Sequence, residues 1–425
     1  MATTFFMLAG EASGDSHAAK LITELKKLDA GGTGSQQQTE AARGTRFVGM
    51  GGPKMAAAGL EVAKDLEGMQ VVGFWEVAKK YGFFKRVFHE LLDRVKQEKP
   101  DALICVDYPG FNLRFAKEVK KLGIPVLYYI VPQVWAWKPM RAKRMAEFVD
   151  RAFCVFDFEP PFFEKFGLKT EFVGHPLIDD CGSAIADCGL KLPPGPKTVA
   201  LLPGSRPSEY FWLELVMNRA FELARERRDG NLRGLISEQG LWDTLRGFAF
   251  KRSDPLADDK FLTELARVGL LPAFGSSDPQ DCCVAIAKAF LANGEKWPSH
   301  ATLLPAAADF SVVKSGTSTL EAGLAGNPMC VVYKSSFISY AIAHLVVNIP
   351  VFSLVNIVLG RYAVPELLQG EVNPQRIAQE IERGLTDEKY REQQKAALAE
   401  LPKKLGGPGA SARAAKGIME FLKGQ

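Results

Sequence analysis

The sequence lacks the cysteine patterns of a disulfide-bonded or metal-binding protein. Its seven cysteines are scattered, no C-x-x-C pair occurs, and the adjacent Cys282 and Cys283 cannot act as an ordinary pair of metal ligands. An odd number without a pattern predicts reduced thiols rather than a disulfide framework. No grouping of His, Cys and Asp has the spacing of a metal site. We therefore expect no metal, no cofactor and a cytoplasmic protein.

A strong charge of either sign is also missing. The chain has 53 basic and 49 acidic residues, which leaves a net charge of +4. That balance argues against nucleic acid as a partner, although a local basic patch stays possible. The first nine residues have no basic region and only a short apolar run, so no secretory signal is predicted.

Residues 337–360 form an uncharged segment that is long enough to cross a bilayer. Asn348, Pro350 and Asn356 interrupt its apolar character, which argues against a spanning helix. Two interpretations stay open: a segment that touches the membrane or lines the substrate site, and an interior helix–loop–helix.

Short β-rich runs alternate with helical periodicity over most of the chain, which predicts parallel sheets covered by helices on both faces. A Pro/Gly-rich stretch at Leu192–Lys197 marks an interdomain linker. We therefore predict an α/β protein with two doubly wound, Rossmann-like domains facing a cleft. Their expected bounds are residues 1–185 and 196–372, followed by C-terminal helices at 373–425. Residues 229–300 fit this pattern weakly.

Two turns of the first domain follow apolar strands and precede helices. One contains Glu11 and Ser13. Its two acids, Glu11 and Asp15, favour hydroxyl groups over phosphates as ligands. The other places Asp107 at the end of a strand, where open α/β sheets bind ligands. Asp107 is a candidate general base, with a loop ion pair or helix cap as the alternative. Asn112 is expected to cap the following helix.

Two turns of the second domain resemble anion sites. Arg206 follows a Pro-Gly-Ser turn, and Ser315, Gly316 and Thr317 follow a strand at the start of a helix. Glu321 lies on about the second turn of that helix and could bind both hydroxyls of a ribose. Ordinary capped helices are the alternative. The two turns together favour a nucleoside diphosphate.

Aromatic and basic residues are mixed in residues 73–92, which suits a helical hairpin lying on an anionic membrane. An amphipathic helix packed on the sheet is the alternative. The residues expected to contact the membrane are Phe74, Trp75, Phe83, Phe84, Lys85 and Arg86.

Taken together, the motifs resemble those of the lipid-A-disaccharide synthases, which are inverting glycosyltransferases of the two-domain GT-B type. The resemblance covers most of the chain and rests on the following segments: GEASGDSHAA (10–19), FVGMGGPKM (47–55), PDALICVDYPGFNLRFAK (100–117), YYIVPQVWAWK (128–138), FVGHPL (172–177), LLPGSRPSE (201–209), SGTSTLEAGLAGNPM (315–329), NIVLGR (356–361) and VPELLQ (364–369).

The resemblance implies a reaction between UDP-2,3-diacylglucosamine and 2,3-diacylglucosamine 1-phosphate (lipid X), with release of UDP. It makes Asp107 the base and places Glu11, Ser13 and Trp135 on the acceptor side. The residues that it implies for UDP are Arg206, Ser315, Gly316, Thr317, Glu321, Asn356 and Gln369.

Because both substrates carry acyl chains, the resemblance also implies a peripheral location on the inner leaflet of the cytoplasmic membrane. Two alternatives stay open. Another GT-B enzyme of UDP-sugars, such as a UDP-N-acetylglucosamine 2-epimerase, would share the fold and the UDP pocket. A non-catalytic lipid-binding homologue would keep the hydrophobic segments but would not need Asp107.

Overall fold

The computed structural model describes residues 3–29, 44–69, 81–137, 139–181, 196–203, 207–229, 231–236, 305, 308–334 and 351–424. Its described residues fall into two compact units. The first unit contains the described residues up to Pro176 together with those from Leu405 onward, and the second contains the described residues from Leu177 to Lys404.

The first unit is built on a parallel sheet of seven strands in the order β3-β2-β1-β4-β5-β6-β7. The strands are β1 (Thr4–Ala9), β2 (Arg46–Met50), β3 (Leu60–Lys64), β4 (Ala102–Val106), β5 (Val126–Tyr129), β6 (Arg151–Cys154) and β7 (Thr170–Phe172). Alternate residues of β1 enter opposite cores, with Phe6 and Leu8 on one face and Phe5 and Met7 on the other. Both faces are buried, as expected for a parallel sheet.

The helices of this unit follow the strands in sequence. They are α1 (Ala12–Asp29), α2 (Pro53–Ala58), α3 (Tyr81–Glu98), α4 (Pro109–Lys120), α5 (Val134–Trp137), α6 (Met140–Met145) and α7 (Glu159–Glu164). Buried residues of α3, α4 and α6 pack on one face of the sheet, and α1 packs on the other.

The second unit contains a parallel sheet whose described strands have the order β12-β11-β10-β8-β9. They are β8 (Lys197–Leu202), β9 (Leu232–Ile236), β10 (Phe310–Lys314), β11 (Met329–Tyr333) and β12 (Glu366–Leu368). Its helices are α8 (Pro207–Glu226), α9 (Thr317–Leu324), α10 (Leu354–Leu359), α11 (Pro374–Thr386), α12 (Glu388–Leu398) and α13 (Leu401–Lys404). The prediction of an α/β protein with parallel sheets is confirmed.

The last helix, α14 (Ala410–Lys423), packs against the first unit. Its residues Ala414 and Ile418 join the core on the α1 side of the first sheet, and Arg413 Nε donates to the Val173 carbonyl at 2.7 Å. The segment predicted as C-terminal helices, residues 373–425, is therefore divided between the two units. Composition did not reveal this because the segment is helical throughout most of its length.

In each sheet, the described strands are added first toward one edge and then toward the other, so the direction changes between two neighbouring strands. In the first sheet β1 and β4 are neighbours, and in the second β8 and β10 are neighbours. Open α/β sheets form ligand crevices at the carboxyl ends of strands beside such a reversal. The residues that follow β1 and β4, and those that follow β8 and β10, are therefore the first candidates for sites.

Candidate active site

The turn after β1 carries two acids with different roles. Asp15, in the first turn of α1, is buried and accepts three backbone N–H groups, from Gly52 (2.8 Å), Lys54 (3.1 Å) and Met55 (3.0 Å). It therefore satisfies the amino terminus of α2 and has a structural role. Glu11 is only partly buried and accepts a hydrogen bond from the Ser13 hydroxyl at 3.2 Å.

Asp107 follows β4 directly and has an unusual backbone. Its φ is +45° and that of Tyr108 is +49°, so two successive residues with side chains are left-handed. Such a conformation is strained and persists only where surrounding contacts hold it. The Asp107 carbonyl accepts hydrogen bonds from the Tyr128 hydroxyl at 2.7 Å and from Asn112 Nδ2 at 2.8 Å.

The prediction that Asn112 caps a helix is wrong. The helix begins earlier, at Pro109, and Asn112 is fully buried within it. Proline at the first position loses no hydrogen bond, which explains the earlier start. The side chain of Asn112 instead holds the backbone of the Asp107 loop, and sequence alone did not separate these two roles of an Asn.

Tyr108 fixes the same loop from the other side. Its hydroxyl donates to the Met69 carbonyl at 2.7 Å. Its ring lies against Gly10 so closely that a Cβ added at Gly10 would overlap the ring atoms. Gly10 is therefore required for close packing between the turns that follow β1 and β4. Sequence reasoning missed Tyr108, since a tyrosine before proline is not distinctive.

The carboxyl group of Asp107 is electrostatically perturbed. Burial, followed by the negative charge of Glu11 and a side-chain hydrogen bond to Glu11, raises the pKa of Asp107 to about 7. A pair of acids that share a site favours one protonated and one ionised carboxyl group. Asp107 can therefore exchange a proton near neutral pH, as a general base must.

Trp135 is held by a buried acid. Its Nε1 donates to Glu159 Oε1 at 3.0 Å, and Glu159 Oε2 accepts from the backbone N–H groups of Val155 (3.0 Å) and Phe156 (3.1 Å). Burial raises the pKa of Glu159 to about 7. The Trp135 ring meets the Phe158 ring edge-on, with centroids 4.9 Å apart. Glu159 was not identified from the sequence because it is an ordinary acid in the first turn of a helix.

The turn after β10 leads from Ser315 through Gly316 into α9. Gly316 has a φ of +155°, which is strained for any other residue, and a Cβ there would meet no heavy atom within 4 Å. Backbone conformation rather than packing therefore requires glycine. Thr317 is exposed at the start of the helix, whose first N–H groups favour an anion. The Thr319 hydroxyl donates to the Gly316 carbonyl at 2.8 Å.

Glu321 lies on the second turn of α9. Burial raises its pKa to about 7, with a smaller contribution from the negative charge of Asp180. Its buried Oε2 has no hydrogen-bond partner among the described residues. A buried carboxylate oxygen without a donor is costly, so this side chain is suited to accept a hydroxyl from a ligand.

Asn356 lies in α10 and forms hydrogen bonds to the chain that follows the helix. It is fully buried, its Nδ2 donates to Val364 O (2.9 Å) and Glu366 Oε1 (2.7 Å), and its Oδ1 accepts from Ala363 N and Val364 N. Its amide is thus fully used in holding the chain between α10 and β12. Gln369, directly after β12, is half-buried with a φ of +49°.

Several predicted residues lie outside the described part of the chain: Arg206, Phe74, Trp75 and most of the uncharged segment 337–360. In α3, Phe83 and Phe84 are half-buried and pack against the core, while Lys85 and Arg86 are exposed. None of the helices in the described ranges is long and apolar enough to cross a membrane. In the same ranges no group of three or more acids, histidines and cysteines is arranged to hold a metal ion.

Comparisons with known proteins agree with the resemblance. A family model described as lipid-A-disaccharide synthetase matches residues 5–238 and 297–415. A lipid-A-disaccharide synthase of Anaeromyxobacter dehalogenans is 37% identical over 424 residues, which cover 98% of this chain and 97% of that protein. A relative of the same name from Geobacter metallireducens is 35% identical over 423 residues, which cover 98% of this chain and 96% of that protein.

Among solved structures, a calicheamicin glycosyltransferase matches with a TM-score of 0.54 at 15% identity, covering all of this chain and 98% of its own. A UDP-GlcNAc 2-epimerase from Neisseria meningitidis bound to UDP-GlcNAc matches with a TM-score of 0.51 at 11% identity, covering all of both chains. At these identities the two structures inform the fold alone, and both agree with the predicted GT-B type.

Proposed function

The chain belongs to the lipid-A-disaccharide synthetase family, and on this premise we propose how its residues carry out the reaction. The protein is a glycosyltransferase that makes the lipid A disaccharide and uses a UDP-sugar. The proposed donor is UDP-2,3-diacylglucosamine and the proposed acceptor is lipid X. The products are the β-1,6-linked disaccharide 1-phosphate and UDP.

Asp107 is the proposed general base. Its ionised carboxyl group takes the proton of the acceptor 6-hydroxyl as that oxygen attacks the anomeric carbon of the donor. The bond between the anomeric carbon and UDP breaks at the same time, which inverts the configuration. The observation that carries this role is the position of the carboxyl group, which stands on left-handed backbone directly after β4 and beside Glu11. Burial and the charge of Glu11 raise the pKa of Asp107 to about 7, which supports the role.

Glu11, Ser13 and Trp135 are the proposed acceptor-side residues. Glu11 and Ser13 already form a hydrogen bond beside Asp107, so a sugar hydroxyl can replace or extend it. The Trp135 ring is fixed by Glu159 and offers a rigid aromatic surface for a sugar face.

UDP is proposed to bind at the carboxyl end of the second sheet. The negative charge that develops on the leaving diphosphate is stabilised by N–H groups at the start of α9, near Ser315, Gly316 and Thr317, together with Arg206. Glu321 accepts the ribose hydroxyls, which supply donors to its buried oxygen. Asn356 acts through the backbone that it holds, and Gln369 borders the pocket.

The membrane is proposed as a peripheral partner on the cytoplasmic side of the inner membrane, because both substrates carry acyl chains that stay in the leaflet. Exposed Lys85 and Arg86 support contact with anionic headgroups. Phe74, Trp75, Phe83 and Phe84 are proposed to complete this contact.

The test is UDP release from UDP-2,3-diacylglucosamine plus lipid X in neutral detergent micelles, with the disaccharide measured by mass spectrometry. We expect acceptor-dependent UDP release that a chelator does not change and that Asp107→Asn slows by about 100-fold or more. The control is Asp93→Asn, which removes an exposed acid of α3 and should keep full activity. UDP release without disaccharide, or an Asp107→Asn enzyme as active as the wild type, would contradict the proposal.

A further inference from the structure

Trp135 stands one strand away from Asp107. The strands β4, β5 and β6 are neighbours in the first sheet, and Asp107 N donates to the Tyr129 carbonyl at 3.1 Å, which ties the ends of β4 and β5 together. Trp135 follows β5 in the short helix α5. Neighbouring strands lie about 4.8 Å apart, a spacing close to the width of a sugar ring. A pyranose whose 6-hydroxyl meets Asp107 can therefore extend to Trp135.

Two aromatic rings and one acid fix the plane of the Trp135 indole. Phe158 and Phe156 both meet the indole edge-on, with ring centroids 4.9 and 6.5 Å away. The indole Nε1 donates to Glu159 Oε1 at 3.0 Å. Because Trp135 is only half-buried, part of the oriented ring stays accessible to a ligand.

The two oxygens of Glu159 have separate tasks. Oε2 alone accepts the backbone N–H groups of Val155 and Phe156, at 3.0 and 3.1 Å, and so completes the turn before α7. Oε1 is left for Trp135. Glu159 is fully buried, and in the part of the chain that the structure describes no cation lowers its pKa, which burial raises to about 7. A buried acid without a counter-charge costs stability, so its presence indicates a task beyond the local fold.

We propose that Glu159 is a positioning residue of the acceptor site: its carboxylate holds the Trp135 indole in the plane on which the pyranose ring of the acceptor stacks. Glu159 itself touches no substrate. An ionised group holds an indole N–H more strongly than a neutral one does. A ring that is already oriented loses little conformational entropy when a ligand binds. The inference rests on the proposed function in one respect, that the acceptor is the diacylated sugar phosphate lipid X.

The experiment is a double-mutant cycle on the full chain. Glu159→Gln keeps the shape of the side chain but replaces one oxygen by an NH2 group, so either Trp135 or the backbone of the turn loses its acceptor. Trp135→Phe keeps an aromatic ring and removes the N–H group. The wild type, both single variants and the double variant are compared in neutral micelles. Binding of radiolabelled lipid X gives its dissociation constant, and UDP release gives KM and kcat.

Glu380→Gln is the matched control. Glu380 of α11 is also a buried acid, but it lies in the second unit, where it accepts from the Tyr390 hydroxyl at 2.9 Å and pairs with Arg376 at 2.8 Å. Urea titration of every variant measures how far each substitution destabilises the fold. A merely structural role of Glu159 would give both Gln variants a loss of stability and an unchanged affinity for lipid X.

We expect Glu159→Gln to raise both the dissociation constant and the KM of lipid X about tenfold, the value of a hydrogen bond to a charged group. The KM of the donor, and kcat at saturating lipid X, should stay within about twofold, as expected when binding of one substrate is lost. In the Trp135→Phe background the same substitution should not weaken lipid X binding further, because the N–H group that Glu159 accepts is gone.

Three results would overturn the inference: an equal loss in both backgrounds, an equal rise in the KM of the donor, or an affinity for lipid X that Glu159→Gln leaves unchanged. A wild-type protein that does not bind lipid X would overturn it as well. A wild-type protein that binds lipid X but forms no disaccharide would contradict the proposed function alone, so the two can fail separately.

Discussion

Two clusters of polar residues, one in each unit, differ in how well their hydrogen bonds are satisfied. In the second unit, Glu366 accepts from Phe352 N (2.7 Å), Ser353 N (2.8 Å), the Ser353 hydroxyl (2.7 Å) and Asn356 Nδ2 (2.7 Å). In the first unit, Asp107 shares its environment with a second acid, Glu11, and stands on left-handed backbone.

The difference separates residues that maintain the fold from residues that are available for chemistry. A satisfied cluster resists change, because each donor or acceptor removed leaves a buried partner without a hydrogen bond. A perturbed pair has a pKa near neutrality and can take a proton from a ligand. Both clusters contain acids, so residue type alone does not distinguish them.

The largest expected effect comes from the perturbed cluster. Asp107→Asn keeps a residue that tolerates left-handed backbone but removes the proton acceptor. We expect kcat to fall by about 100- to 10,000-fold, the usual contribution of a general base. Stopped assays of UDP release measure it. An Asn enzyme with a nearly normal kcat would mean that Asp107 has no catalytic role.

The satisfied cluster should respond through stability instead. Asn356→Ala removes an amide that bonds to Val364, Ala363 and Glu366. We expect a loss of about 3 kcal/mol in the free energy of unfolding, because several buried groups lose their partners. Urea titration measures it, with Arg361→Ala as the control, since the Arg361 side chain pairs with Glu400 at an exposed position. A smaller loss in Asn356→Ala than in the control would contradict the comparison.

Glu321 should behave like Asp107 and unlike Glu366, since its buried Oε2 has no hydrogen-bond partner in the part of the chain that the structure describes. Glu321→Gln should weaken UDP binding about tenfold, the value of a hydrogen bond to a charged group. Because the pKa of Glu321 is about 7 and UDP favours the ionised form, wild-type affinity should rise between pH 6 and pH 8. Calorimetry at both pH values tests this. Glu388→Gln, an exposed acid of α12, should change nothing.

The smallest effect concerns the acid beside Asp107. Glu11→Gln removes a negative charge that raises the pKa of Asp107. The base must be ionised, so activity rises with pH through the pKa of Asp107. The rising limb of the kcat/KM profile should therefore move to lower pH in the variant. If the rising limb stays in place or moves to higher pH, the charge of Glu11 does not raise the pKa of Asp107.

The raised pKa of Asp107 should also make the stability of the folded protein depend on pH. Folding raises the pKa of Asp107, so the wild type loses stability as pH rises from the unfolded value toward about 7. Asp107→Asn should lose this part of the pH dependence and gain stability relative to the wild type at pH 8. Thermal melting at pH 5 and pH 8 checks the sign.

Sequence reasoning predicted some of this structure and missed the rest for physical reasons. The position of Asp107 after a strand follows from local apolar pattern, and so does the turn at Ser315–Thr317. The roles of Asp15, Tyr108 and Glu159 depend on partners 24 to 40 residues away, such as Met55 for Asp15. Hydrophobic periodicity carries no information about such pairs.

The sequence by itself determined the class of fold, the parallel strands and the family, because these depend on alternation, turn residues and ordered motifs along the chain. Only the tertiary structure decided which acids are satisfied and which are perturbed, where the strand orders reverse, and that α14 returns to the first unit. The reason is physical: hydrogen-bond satisfaction, burial and the electrostatic field at a carboxyl group are sums over neighbours that the fold brings together from distant parts of the chain.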